Sequence, residues 1–254
     1  MKSGLFPLLL FVFSQITHAQ YAFSPWFYFQ PGDTLTVAAK SGLNIRAGTS
    51  PDAKKIATVP FGQPIVALGM YENMEYEIQD RKGSWFKVKY GKTEGYVFSG
   101  FVTDKNIPVL KAEDNGDDHP SWFEKFVRAN VDTLVYKGSR LKKGFDEDGK
   151  DWEGIDWEVY SDETIINQVG TYERIDLVVE TTQISVNDIL NLLEHQIELV
   201  IAQNKGNDLD LDRLKIVIKK GDDGHIHTID CPGMEFTAHV FDRKIIITVN
   251  LLQV

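Results

Sequence analysis

The residues best suited to chemistry lie in the last third of the chain. In His225-Ile226-His227 two imidazoles are spaced to leave one face of an extended strand, as two nitrogen ligands of a metal would be. His239 and Cys231 follow closely enough for a third ligand to converge from a neighbouring strand. His225 and His227 are therefore the candidate metal ligands. Exposed strand faces also collect histidines without purpose, and neither a metal nor a cofactor is expected. Asp146-Glu147-Asp148-Gly149-Lys150-Asp151 has the composition of a calcium loop but not its spacing. Such a loop needs glycine in sixth place after alternating oxygen ligands, and Gly149 stands too early. This segment and the acidic stretch at 207–212 read as turns. Glu194, His195 and Glu198 share part of a helix surface, lack a second set of partners, and read as solvent-facing. There is no Gly-rich phosphate loop and no Gly-x-Ser-x-Gly elbow, and no carboxylate pair stands out. No catalytic residue is nominated.

Those histidines need strands to hold them, and the second half of the chain supplies a pattern for them. Ser121 with Glu124 matches a capping box before a short helix at 122–129. Strand-like runs follow at 132–136, 154–160, 163–169 and 174–181. Next comes one long helix at 186–204, with Ser185 and Asp188 at its start and Gly206 placed to end it. Ile189, Leu190, Leu193, Ile197, Val200 and Ile201 recur along it at helical spacing. Four more strands are expected at 214–219, 225–229, 235–241 and 244–251. One amphipathic helix between two sets of strands implies an α+β domain at 121–254, with the helix lying across an antiparallel sheet. An acidic linker at 105–120, with Glu113-Asp114-Asn115-Gly116-Asp117-Asp118 at its centre, separates this domain from what precedes it.

Bulk composition narrows the partners. The 254 residues carry 27 Lys and Arg against 37 Asp and Glu, a formal net charge of −10. That sign argues against nucleic acid and against anionic lipid as general partners. Lys2, an apolar run at 5–13 and Thr17-His18-Ala19 fit a signal peptide at 1–19, cleaved after Ala19. The run is too short to span a bilayer, which takes about 20 apolar residues. An exported, periplasmic or secreted protein is expected. Residues 20–31 form an aromatic arm that would aggregate if left in water, so docking is expected. Cys231 is the one cysteine, which rules out an intramolecular disulfide and reads as a buried, unreactive thiol.

The first half of the chain is a run of short strands, expected at 34–38, 43–46, 55–59, 64–70, 85–90 and 95–98. Gly42-Leu43-Asn44-Ile45-Arg46, followed far downstream by Trp85-Phe86-Lys87-Val88 and Gly95-Tyr96-Val97, resembles the bacterial SH3-like (SH3b) family over about residues 32–104. The resemblance implies an all-β SH3-like small barrel, and hence a two-part fold of barrel followed by α+β domain. It also implies recognition of cell-wall peptide or of an envelope protein along a shallow groove. By position, Asn44, Arg46, Tyr71, Trp85 and Tyr96 are the candidate ligand-binding residues. Tyr96 stands where the family often has Trp, and the polar stretch at 72–76 reads as a longer loop than usual. Exported proteins join such modules to cell-wall hydrolases of the NlpC cysteine type and the LytM zinc type. Cys231 precedes Pro232-Gly233, turn chemistry rather than a helix start, and no upstream His-x-x-x-Asp accompanies His225 and His227. The reading is therefore an exported, non-enzymatic binding protein. The alternatives are an envelope enzyme with its site in the second domain, and a subunit of an envelope assembly.

Overall fold

The computed structural model describes residues 29–70, 75–108, 122–143, 152–170, 175–203, 210–242 and 244–250. The expected signal peptide, most of the aromatic arm, Tyr71, the acidic centre of the linker, Ser121 and the 146–151 turn lie outside these residues. The described chain is mostly β, with two α-helices.

Apolar residues at every second position set up the first sheet. Its region contains β1 (Thr34–Val37), β2 (Leu43–Arg46), β3 (Lys55–Val59), β4 (Pro64–Met70), β5 (Tyr76–Ile78), β6 (Arg81–Gly83), β7 (Trp85–Tyr90), β8 (Thr93–Phe98) and β9 (Val102–Thr103). Seven of these pair antiparallel in the order β3-β2-β8-β7-β4-β1-β9, while β5 and β6 form a separate ribbon. Leu35, Val37, Leu43, Ile45, Val59, Ile65, Phe86, Val88, Val97 and Val102 share one buried cluster. Phe29, from the end of the aromatic segment, joins it and meets Phe86 with ring centroids 5.9 Å apart. Two glycines are sterically required. Gly42 has φ +81°, and a Cβ there would lie 2.7 Å from the Val59 carbonyl oxygen. A Cβ on Gly95 would lie 2.5 Å from Ile45 Cγ2 and 2.6 Å from the Arg46 carbonyl oxygen, so β8 can cross β2 only as glycine.

The second sheet follows α1 (Trp122–Arg128) and is built from β10 (Leu134–Lys143), β11 (Trp152–Tyr160), β12 (Ile165–Gly170) and β13 (Ile175–Thr181). Then come α2 (Val186–Gln203), β14 (Val217–Lys220), β15 (Ile226–Cys231), β16 (Phe236–Val240) and β17 (Ile245–Asn250). The eight strands are all antiparallel, in the order β10-β11-β12-β13-β17-β16-β15-β14. Leu177, Val179, Ile229, Ala238, Ile245 and Ile247 of this sheet share a buried cluster with Phe123 and Phe126 of α1 and with Ile189, Leu190 and Leu193 of α2. Phe123 is fully buried edge-on to Phe236, with centroids 5.5 Å apart. Burying one such ring stabilises by about 1.5–3 kcal/mol.

Ser185 and Asp188 cap α2 reciprocally. The Asp188 amide donates to Ser185 Oγ at 3.1 Å, and the Ser185 amide and hydroxyl donate to Asp188 Oδ2 at 2.9 and 2.7 Å. The other side of α2 corrects the expectation drawn from periodicity. Glu194 pairs with Arg81, His195 stacks on Phe61 with ring centroids 4.3 Å apart, and Glu198 pairs with Lys40. Asn187 and Asn191 are buried on the same side. Glu194 and His195 thus meet the first half of the chain, while Glu198, with its side chain 54% exposed, stays largely in water as expected. The loop expected at 72–76 is corrected at its end, because Tyr76 opens β5 and residues 76–78 pair with 81–83 as a hairpin.

A polar network joins α1 to the second sheet. Arg128 reaches Glu124 at 2.8 Å and Glu158 at 2.6 Å, and Lys137 and the Tyr160 hydroxyl donate to Glu158 at 2.8 Å. Partial burial alone would raise the Glu158 pKa, but the hydrogen bonds from Lys137, Arg128 and Tyr160 together win and hold it at about 2.

Two tests follow from these contacts. Alanine at Gly95 is expected to destabilise the first sheet by about 1–3 kcal/mol through overpacking, read from the midpoint of urea unfolding. Glu158 is more acidic folded than unfolded, so its stabilisation is present above the ordinary carboxylate pKa near 4.5 and is lost as pH falls toward 2. Unfolding measured across that window should show a shallower pH slope in Glu158→Gln than in the unaltered chain.

Candidate groove of the first sheet

The outer side of the first sheet carries a groove of about 220 Å³. It is lined by Ser41 to Asn44, Arg46 and Pro51, by Ile78 and Gln79 from the β5–β6 hairpin, and by Trp85, Phe98 and Phe101. β2 places Asn44 and Arg46 there by alternation: Leu43 and Ile45 are buried in the core, so their polar neighbours face out. Arg46 Nη1 donates to the Ala53 carbonyl at 2.8 Å, and Asn44 Oδ1 accepts from the Thr58 hydroxyl at 3.0 Å. These bonds use one guanidinium nitrogen of Arg46 and the amide oxygen of Asn44, and both side chains line the groove. Trp85 is 4% exposed, and its indole N–H meets no acceptor among the described residues. An orphaned buried donor of this kind costs about 1–3 kcal/mol.

Three of the five residues expected from sequence therefore meet in one place: Asn44, Arg46 and Trp85. Tyr96 does not line the groove. It sits opposite Arg46 in the β2–β8 ladder and opposite Lys87 in the β7–β8 ladder. Tyr71 lies outside the described residues. Sequence reasoning missed Ile78, Gln79, Phe98 and Phe101. Ile78 and Gln79 belong to the hairpin that composition disguised as loop. A signal existed in Tyr76-Glu77-Ile78, a short alternation before the polar pair Gln79-Asp80.

The histidine pair is arranged differently from the sequence expectation. β15 begins at Ile226, so His225 precedes the strand. Its Nδ1 lies 3.2 Å from Lys82 Nζ, while His227 Nε2 lies 3.5 Å from Asp223. The two imidazoles thus have separate partners, and no group of three metal-ligating side chains occurs among the described residues. Cys231 is fully buried, and that burial pushes its thiol pKa up to about 11.

Residues 41–103 match the bacterial SH3 domain family, and this segment is a bacterial SH3 domain. Domains of this family occur in extracellular and cell-wall proteins and bind peptidoglycan-related ligands. The chain is also 30% identical over 123 residues to Bacteriocin BCN5 of Clostridium perfringens, a match covering 46% of this chain and 12% of the bacteriocin. No solved structure matches. No helix among the described residues is long and apolar enough to cross a membrane.

The state of Cys231 can be checked directly. In the folded chain at pH 8 its thiol should not react with a disulfide reagent such as DTNB, and one equivalent should react once denaturant is added.

Proposed function

We propose that this chain is an exported, non-enzymatic binding protein whose SH3 domain, a small barrel, grips a cell-wall peptide or envelope protein in the groove of Asn44, Arg46 and Trp85. The observation that carries this reading is the convergence of those three side chains on one groove within the segment that matches the family. The chemistry suits a peptide. Arg46 would pair with a carboxylate and Asn44 would bond a backbone amide, beside the ring of Trp85. Aromatic surface from Phe98 and Phe101 would add contact area.

The domain organisation belongs to the same proposal. Residues 1–19 are removed on export, 20–31 dock as an arm and 32–104 form the barrel. Residues 105–120 link it to an α+β domain at 121–254, in which α2 is layered on the antiparallel sheet. A second reading is favoured by the similarity to a protein named as a bacteriocin. In it the chain is a lytic cell-envelope enzyme, with its site in the C-terminal domain and the SH3 domain as targeting handle.

The test is titration calorimetry of the purified chain with muropeptides from digested peptidoglycan, beside pulldown on intact peptidoglycan. Saturable binding is expected, weakened by about tenfold in Arg46→Ala, the size of one lost charge-assisted hydrogen bond. Binding to neither material would sink the proposal. Steady release of soluble fragments from intact peptidoglycan would replace it with the lytic reading.

A further inference from the structure

One wall of the groove is held from outside the SH3 domain. Ile78 and Gln79 stand at the end of the β5–β6 hairpin, whose two-residue turn is Gln79-Asp80. Both turn residues have positive φ, 52° and 61°, as the tightest hairpins need. Glycine or asparagine usually fills such positions, so Gln79 and Asp80 are costly there unless their surroundings hold them.

The C-terminal domain does the holding. Arg81, next in sequence, is 1% exposed, and its Nη1 donates to the Gln79 carbonyl of the turn at 2.8 Å. The same guanidinium donates from Nε to Asn191 Oδ1 at 2.7 Å, pairs through Nη2 with Glu194 at 2.8 Å, and lies 5.1 Å from the centroid of the Phe101 ring. Phe101 itself lines the groove. Asn191 uses its other end as well, donating to the Gly100 carbonyl at 3.0 Å, and Asn187 donates to the Lys82 carbonyl at 2.8 Å. From the second sheet, Lys220 reaches Glu77 at 2.6 Å and Asp80 at 3.0 Å. The Lys220 pairs are solvent-exposed and weak, whereas removing a partner from buried Arg81 leaves a charge uncompensated. Arg81 and α2 therefore carry the anchorage.

We infer that α2 of the C-terminal domain positions the ligand-binding groove of the SH3 domain, by clamping the strained Gln79-Asp80 turn through Arg81. Asn187, Asn191 and Glu194 are positioning residues in this arrangement and touch no ligand. The recognition half of the inference rests on the groove being the binding site. The clamping half does not.

The two halves are separated by measuring hydrogen exchange of the 76–83 amides and muropeptide affinity in the full chain, for Asn191→Ala, Glu194→Gln and Lys220→Ala. Lys220→Ala removes only an exposed side chain and so guards against a result due to misfolding. Expected are exchange faster by about tenfold in Asn191→Ala and Glu194→Gln, a smaller increase in Lys220→Ala, and muropeptide affinity falling in the same order. Unchanged exchange in all three variants would overturn the clamp. Faster exchange with undiminished affinity, while Arg46→Ala still weakens binding, would overturn its role in recognition. If the unaltered chain binds no muropeptide but exchange rises, the groove reading falls and the clamp stands.

Discussion

A single buried guanidinium ties the two halves of this protein together. Arg81 leaves the SH3 segment on a short hairpin and ends between Phe101 and α2, almost wholly out of water. Burial lowers its pKa, and the charge of Glu194 with its hydrogen bond opposes that effect. A cation in such a place is tolerated only when its donors are met by fixed acceptors. Asn191, Glu194 and the Gln79 carbonyl are those acceptors, and two of them come from α2. Satisfying this one group fixes the β5–β6 hairpin against α2.

The same requirement explains the composition of α2. A helix with one apolar stripe would ordinarily turn its remaining residues to solvent. Here Asn187 and Asn191 are buried, because that side meets backbone carbonyls and a cation rather than an apolar layer, and Asp188 is buried in the cap. Asp188 shows the cost. Burial drives its pKa up, against hydrogen bonds from Thr103 and Ser185 that favour the carboxylate. Arg128 plays a comparable part among Glu124, Glu158 and Tyr160, but nearer to solvent. There hydrogen bonds outweigh burial at Glu158, whereas at Asp188 burial wins.

Much of the strand pattern was legible from sequence, for a local reason. Leu43-Asn44-Ile45-Arg46, Lys55 to Val59 and Trp85 to Tyr90 occur at the expected bounds, since alternation and flanking glycine or proline mark strands without help from distant residues. The same alternation turns Asn44 and Arg46 outward, which is why position alone brought them to the groove. The β5–β6 hairpin was not legible. Its residues are polar, and what holds Gln79 and Asp80 at positive φ lies about a hundred residues away on α2.

What the sequence alone determined is therefore the set of elements and the faces they present, because periodicity, capping and turn chemistry act within a few residues. The reciprocal cap of Ser185 with Asp188 is of that kind. Only the tertiary structure decided what each polar face meets. Glu194 and His195 have the spacing of a solvated helix surface, and no local rule separates water from a distant segment of the chain. That choice was made by long-range contacts, where a buried charge needs partners that chain separation hides.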